Sequence, residues 1–258
     1  AVLGLSPEEL AAFESLDPTE QSELIELLEQ ELAASWTLFP KQELAEAIFH
    51  KVDWMLFGGA AAGAKSEFAC WHANNLSMNV PGHNTLLLRN SIPELRRSLI
   101  LRLLARSKQF ELPCRLRKVD GQTGFYYEND SIIECGYLNA DEHVGRYLGS
   151  EYDLILMDEA TLLKPDWIVA VAARLRTTRA KRRLGARPHL GLFTNPGGVA
   201  HQFVYDLFVT PTDYGQKVVV LSIANGMENA FPVREYQAPA PVVGASSATI
   251  LDELLPWA

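Results

Sequence analysis

From residue 53 onward the apolar residues gather in short unbroken runs rather than in strict alternation. Runs at 53–58, 84–89, 152–158, 189–194 and 218–223 predict strands covered on both faces. Helices are predicted in the intervals, at about 66–78, 92–107, 139–148, 165–177 and 199–208. Alternation of this kind implies an α/β fold: a mostly parallel sheet flanked by helices, with right-handed crossovers. One stretch breaks the rhythm. Gly124 to Glu134 has strand-like character on both sides of Asn129-Asp130, which predicts an antiparallel hairpin turning there.

The ends read differently. Residues 6–35 predict two helices, the first opened by Ser6-Pro7-Glu8-Glu9 and the second by Asp17-Pro18-Thr19-Glu20, with Asp17 as the cap and Glu20 reaching back. Leu24, Leu27, Leu28 and Leu32 share one face of the second helix, which is expected to dock onto the main domain. Gln237 to Ser247 is rich in Ala, Pro, Val, Gly and Ser and reads as a linker before a short apolar tail, Ile250 to Trp257. The expected division is therefore a helical segment over 1–38, one domain over 39–236, and a linker with tail over 237–258.

Composition narrows the class. With 258 residues, 48% of them apolar and 21% charged, the chain can bury a sizeable core and is not of the disordered type. No apolar run reaches the roughly 18 residues of a membrane span. No membrane partner is expected. Cys70, Cys114 and Cys135 are scattered and the six histidines show no paired spacing, so neither a disulfide framework, a zinc site nor a metalloprotease is expected, and a reducing compartment is. The net charge of −9 taken alone argues against a nucleic-acid partner. It hides an asymmetry: the first 35 residues hold no Lys or Arg, whereas Arg174, Arg176, Arg179, Lys181, Arg182, Arg183 and Arg187 crowd one acid-free stretch.

Three strand ends carry chemistry. The first is Gly59-Ala60-Ala61-Ala62-Gly63-Ala64-Lys65-Ser66, placed after a strand and before a helix. That is the context of a phosphate-binding loop, in which backbone N–H groups wrap phosphate oxygens, the lysine neutralises the β and γ phosphates and the serine hydroxyl holds Mg²⁺. Ala64 stands where the pattern has Gly, so the added methyl either crowds the phosphates, with Gly63 compensating, or weakens the loop. The plainer alternative is a small-residue turn packing a helix on a strand. The second strand end is Asp153 to Asp158-Glu159, an apolar run finishing in adjacent carboxylates, where open α/β sheets bind ligands. Asp158 suits Mg²⁺, and Glu159 a proton from the attacking water. The third, His189 to Thr194-Asn195-Pro196-Gly197-Gly198, puts two polar side chains where they would sense a γ-phosphate, unless it is a simple turn.

In that order, FGGAAAGAKSEFA, LLLRNSIPELRRSLI, YLGSEYDLILMDEATLL and LGLFTNPGGVAHQFV resemble the ATPase domain of tailed-bacteriophage large terminases over residues 40–235. The resemblance implies an additional-strand (RecA-like, ASCE) P-loop NTPase core behind an N-terminal helical segment. It implies ATP and Mg²⁺ at the site and hydrolysis that drives double-stranded DNA into a procapsid through the portal. The implied partners also include a small terminase subunit and further copies of the chain in a ring, in the cytoplasm of an infected bacterial host. Lys65 and Ser66 match the phosphate-loop residues, Asp158 the magnesium carboxylate, Glu159 the catalytic base, and Thr194 and Asn195 the coupling motif. Phe39-Pro40-Lys41-Gln42 is similar to the adenine-recognition segment, where the Gln42 amide can both donate and accept. The sequence departs from the family in Ala64, in lacking an arginine within the loop, and in stopping before a nuclease domain; an ATPase part without nuclease activity is expected.

The arginine expected at a γ-phosphate has three candidates: Arg89, Arg174 and Arg176, with Arg176 preferred and acting from a neighbouring subunit. The stretch from Arg174 to Arg187 contacts DNA phosphates or an adjacent subunit, or is a solvated loop. Two other functions share these motifs: a helicase-like DNA translocase, and a hydrolysis-impaired nucleotide-binding assembly module.

Overall fold

A computed structural model of the chain describes residues 17–23, 25, 37–49, 51–59, 64–119, 121–184, 186–208 and 217–222. Most of the two expected N-terminal helices, the loop residues Ala60 to Gly63 and the expected linker and tail lie outside the described residues. The second N-terminal helix does begin as its sequence predicts: Asp17 Oδ1 accepts from the backbone N–H of Thr19 at 2.8 Å and of Glu20 at 2.9 Å, and residues 18–23 are helical.

The main body opens with α1 (Pro40–Phe49), β1 (Trp54–Gly59), α2 (Lys65–Asn79) and β2 (Asn84–Arg89). Next comes α3 (Ile92–Leu95), which passes through a π turn (Arg96–Ile100) into α4 (Leu101–Gln109). Three strands follow, β3 (Cys114–Val119), β4 (Gln122–Tyr127) and β5 (Ile132–Tyr137), then α5 (Asp141–Val144). The remainder is β6 (Leu154–Asp158), a 3-10 turn (Ala160–Leu162), α6 (Pro165–Ala172), α7 (Arg179–Arg183), β7 (His189–Phe193), α8 (His201–Phe208) and β8 (Lys217–Ser222).

The strands form one eight-stranded sheet in the order β3-β4-β5-β2-β6-β7-β1-β8. From β5 to β8 every neighbouring pair is parallel, and only β3-β4 and β4-β5 run antiparallel. Parallel strands need helical crossovers, and those helices cover both faces. Along β6 this is literal: Leu154 and Leu156 enter one core with Phe49, Phe68 and Leu99 from α1, α2 and the π turn, whereas Ile155 and Met157 enter the other with Trp167, Val171 and Val204 from α6 and α8. All five β6 residues are buried, which is why the run shows no alternation. The strand after the acidic pair, β7, inserts between β6 and β1, so the loop after β1, Asp158-Glu159 and Thr194-Asn195 all leave the sheet at its carboxyl edge side by side.

Three expectations are corrected. The hairpin gains a third strand, β3, whose register pairs Arg115 with Tyr126 and Arg117 with Gly124; its charged residues are exposed at the sheet edge, so no apolar run marks it, and charge on an edge strand discourages pairing with other chains. The helix expected at 139–148 is a single turn, α5, followed by turns in which the buried Tyr147 hydroxyl binds the Tyr137 backbone, accepting from its N–H at 3.0 Å and donating to its carbonyl at 3.2 Å. The helix expected at 165–177 stops at Ala172 because the backbone of Tyr152 takes over: its N–H donates to Arg174 O at 3.0 Å and its carbonyl accepts from Arg176 N–H at 2.8 Å.

Candidate active site

The site assembles at the carboxyl edge from side chains that four strand ends deliver. Lys65 and Ser66 start α2. The Lys65 ammonium donates to Asn195 Oδ1 at 2.8 Å and to Gly59 O at 3.4 Å. The Ser66 hydroxyl lies 3.0 Å from both Asp158 carboxylate oxygens. Arg89, which ends β2, donates from Nη1 to Asp158 Oδ2 at 2.6 Å, and its Nη2 stands 4.0 Å from Glu159 Oε1. The Asn195 amide closes the ring by donating to Glu159 Oε1 at 3.2 Å and Oε2 at 3.4 Å. Residues distant in sequence thus form two hydrogen-bonded sets, Lys65–Asn195–Glu159 and Ser66–Asp158–Arg89, joined by the Arg89–Glu159 ion pair.

Burial tunes its acids and base. Loss of water pushes the Asp158 carboxyl above its ordinary range, and the Arg89 guanidinium and Ser66 hydroxyl oppose that rise. Glu159 is pushed up too, by burial first and by the neighbouring Asp158 charge second, with Arg89 and Lys65 pulling down. Burial lowers Lys65 against the attraction of Glu159 and Asp158. A carboxylate held above its usual range in a site of opposed charges is a better proton acceptor than an exposed one.

Two residues here hold left-handed backbone without being glycine: Ala64 (φ 50°) and Glu159 (φ 52°). That conformation costs about 1–2 kcal/mol for a residue with a Cβ. At Glu159 it turns the chain sharply from β6 into the 3-10 turn. The loop after β7 is fastened to that turn. Thr161 and Thr194 hydroxyls share a hydrogen bond at 2.6 Å, and Thr161 O accepts from Ala200 N–H at 2.9 Å. Gly198 (φ 90°) passes so near that a Cβ there would meet Thr161 O at 2.5 Å, so this crossing requires glycine.

The other predicted residues fall as follows. Gln42 is buried, and its amide bridges inside the chain: Nε2 donates to Ala64 O at 2.8 Å and Oε1 accepts from Phe39 N–H at 2.9 Å. It therefore touches the end of the loop and retains one N–H and one lone pair for a ligand. Ala60, Ala61, Ala62 and Gly63 lie outside the described residues. Arg176 is not brought to this chain's site. It pairs with Glu151 at 2.9 Å, seven residues before Asp158, or roughly 23 Å along an extended chain at ~3.3 Å per residue. Arg174, on the same lower edge, donates to Leu148 O at 3.0 Å. Of the three arginine candidates only Arg89 is at the site. Sequence reasoning did not single out Ser98, which the π turn presents to Arg89 Nη1 at 2.7 Å, or Thr161; π turns have no clear sequence signal, although they recur at functional sites.

The donor set suits the groups the sequence implies. Asp158 and Ser66 offer only oxygen, as Mg²⁺ prefers, and Mg²⁺ commonly takes one or two protein ligands and completes its shell with phosphates and water. Among the described residues no group of three or more His, Cys, Asp or Glu gathers as a metal cage, and no helix is long and apolar enough to cross a membrane.

No protein-family model matches the sequence, and no curated protein matches it. Solved structures do match the fold. The large terminase from a thermophilic bacteriophage is 16% identical with a TM-score of 0.54, over 72% of this chain and 45% of that one. The same protein in complex with ADP gives 18%, 0.50, 76% and 44%. The ATPase domain of the Thermus phage P74-26 large terminase gives 14%, 0.52, 78% and 84%. This chain spans less than half the length of the first of these and most of the length of the isolated ATPase domain. In fold, the chain is similar to the ATPase domains of phage large terminases: a mostly parallel, RecA-like sheet flanked by helices.

Proposed function

We propose that this chain, through a domain over residues 39–236, is the ATP-hydrolysing part of a viral DNA-packaging motor. The observation that carries the proposal is the convergence of Lys65, Ser66, Asp158, Glu159 and Asn195 at the carboxyl edge of one parallel sheet. Support comes from the shared fold with phage large terminases, one of them solved with ADP and with ATP-gamma-S.

Lys65 and the N-terminus of α2 bind the phosphates. Asp158 and Ser66 hold Mg²⁺, which when bound neutralises charge on the phosphate oxygens. Glu159 takes the proton of the attacking water, its basicity raised by burial. Asn195 aims Glu159 with its amide N–H groups and holds Lys65 with its oxygen. A lysine that turns to a triphosphate releases that oxygen, so Asn195 registers occupancy. Thr194 and Thr161 pass the change to the turn after Glu159.

For translocation the partners are double-stranded DNA, the portal of a procapsid, a small terminase subunit and further copies of the chain in a ring, in the cytoplasm of the host cell. Exposed Arg179, Arg182 and Arg183 make no side-chain hydrogen bond or ion pair among the described residues, whereas Lys181 is fixed to Asp153 at 2.6 Å; three presented guanidinium groups suit phosphate or an acidic neighbour. Arg176 acts in trans if a ring turns this lower edge toward the next site. The test is an ATPase assay with and without double-stranded DNA. Glu159→Gln retains ATP binding while turnover falls by about 10²–10⁴; unchanged turnover removes Glu159 from its role.

A further inference from the structure

Arg89 sits deeper in the site than a capping surface arginine would. Its side chain is 15% exposed, and one guanidinium nitrogen bonds both Asp158 Oδ2 at 2.6 Å and Ser98 Oγ at 2.7 Å. Three carboxylates surround this one cation: Asp158 in contact, Glu94 at 3.7 Å from Nε and Glu159 at 4.0 Å from Nη2. The contact with Asp158 is complete and the other two are not. Arg89 Nε is buried with no hydrogen-bond partner, because 3.7 Å is too long for a hydrogen bond. A buried N–H left unmet is costly, and a modest turn of the guanidinium toward Glu94 would satisfy it at the expense of Asp158. The guanidinium that holds Asp158 thus has two further carboxylates within 4.0 Å, Glu94 and Glu159.

Asp158 is the carboxylate the proposed magnesium needs. A guanidinium and a divalent cation on the same buried carboxylate repel each other across a few ångströms where water screens little. We infer that Arg89 is the resident counter-ion of the metal site, competing with the divalent cation for Asp158 and moving to its Glu94–Glu159 position when the metal and nucleotide bind. Arg89 is then a positioning residue with two states. On Asp158 its charge opposes the burial that disfavours the carboxylate, and in its other position it lies beside Glu159. The inference rests on the nucleotide-site reading above.

The test measures binding of a fluorescent ADP analogue at increasing Mg²⁺, together with melting temperature, for the wild-type chain, Arg89→Ala, Arg89→Lys and Ser98→Ala. Competition predicts that Arg89→Ala lowers the Mg²⁺ concentration needed for half-saturation by about tenfold, a typical coupling between two ligands of one site. Without ligand Arg89→Ala melts lower than wild type, and Mg²⁺ with nucleotide raises its melting temperature more than it raises the wild type's. Ser98→Ala, which only loosens the hold on Nη1, lowers the Mg²⁺ requirement by a smaller factor, and Arg89→Lys keeps the wild-type requirement. An unchanged or increased Mg²⁺ requirement in both Arg89→Ala and Ser98→Ala overturns the inference while leaving the nucleotide site standing. If Arg89→Ala does not fold, Ser98→Ala decides alone. Absence of any nucleotide binding by the wild-type chain overturns both.

Discussion

Strand β6 carries a buried aspartate at each end, and the two do opposite work. Asp153, just before its first residue, is 1% exposed, and Asp158, its last, is 2% exposed. Asp153 accepts from the backbone N–H of Asn84 at 3.0 Å, from Lys181 at 2.6 Å and from the Thr177 hydroxyl. Its own backbone is bonded on both sides, to Asn84 O and from His189 N–H. Asp158 is held by side chains alone, Ser66 and Arg89, which leave the sheet at other strand ends. Similar burial and the same residue type thus give a clamp at the amino edge and, on the proposed reading, an exchangeable site at the carboxyl edge. What separates them is whether the partners have anywhere else to go. The backbone N–H of Asn84 is fixed beside Asp153 by the sheet, whereas Arg89 has two further carboxylates within 4.0 Å.

The largest effect that would break this contrast comes from removing each carboxylate in turn. Asp153→Ala leaves an ammonium and a backbone N–H without their buried partner, and breaking such a pair costs about 3 kcal/mol or more; the urea midpoint drops accordingly. Asp158→Asn keeps the shape, removes a charge that burial already disfavours, and leaves Arg89 near Glu94 and Glu159. Its stability changes by about 1 kcal/mol or less, yet Mg²⁺-dependent nucleotide binding is lost. Equal loss of stability in both variants would show that Asp158 is architecture as well.

The contrast also explains what was legible in the sequence. Strand ends that meet at the carboxyl edge were readable because each pairs an apolar run with polar residues at its end: 84–89 ending in Arg89, the run ending in Asp158-Glu159, and the one ending in Thr194-Asn195. Parallel order follows from the helices between them, and the insertion of β7 follows from the resemblance of the motifs. At the amino edge the same logic fails. Arg174 and Arg176 look like the end of a helix, but Tyr152 draws them into a backbone bridge that no local pattern announces. Strand β3 was invisible because Arg115, Arg117 and Lys118 erase its apolar signal. The basic stretch near 180 reads as one patch by count, yet its lysine neutralises a buried aspartate while three arginines stay exposed. Such pairing depends on which segments the topology brings together, information that single-sequence periodicity does not hold.

A second, intermediate effect sharpens the carboxyl-edge side through pH. Glu159 must be ionised to accept a proton, and both burial and the Asp158 charge raise its pKa. Turnover therefore falls as pH drops through a value above the ordinary glutamate range, and it is retained on the alkaline side of that value. Neutralising the neighbour in Asp158→Asn would move the limb down but removes the carboxylate proposed for the metal, so the cleaner variant is Arg89→Ala. Loss of the nearby cation raises the Glu159 pKa, and the acid limb of the turnover profile shifts to higher pH. A limb that stays in place, or moves down, would separate Glu159 from the titration or Arg89 from Glu159.

The smallest effect concerns backbone strain, which differs between the edges in kind. At the amino edge the left-handed residues are Glu111 (φ 48°), before β3, and Asp130 (φ 64°) in the β4–β5 turn, where Asp and Asn adopt that conformation readily. At the carboxyl edge they are Glu159 (φ 52°) and Ala64 (φ 50°), and the Ala64 methyl offers no compensating hydrogen bond. Glycine in the same conformation escapes a cost of about 1–2 kcal/mol but gives back roughly 0.5–1 kcal/mol of chain entropy. Ala64→Gly should therefore stabilise the fold by about 0.5 kcal/mol, seen as a rise of about 1–2 °C in melting temperature, with nucleotide affinity rising in the same variant because the loop reaches its bound shape at lower cost. Asp130→Gly should give no gain, since the strain it would relieve is slight and the entropy cost is the same. Equal gains at both positions would mean that strain is spread evenly over the turns instead of being concentrated where the loop after β1 meets α2.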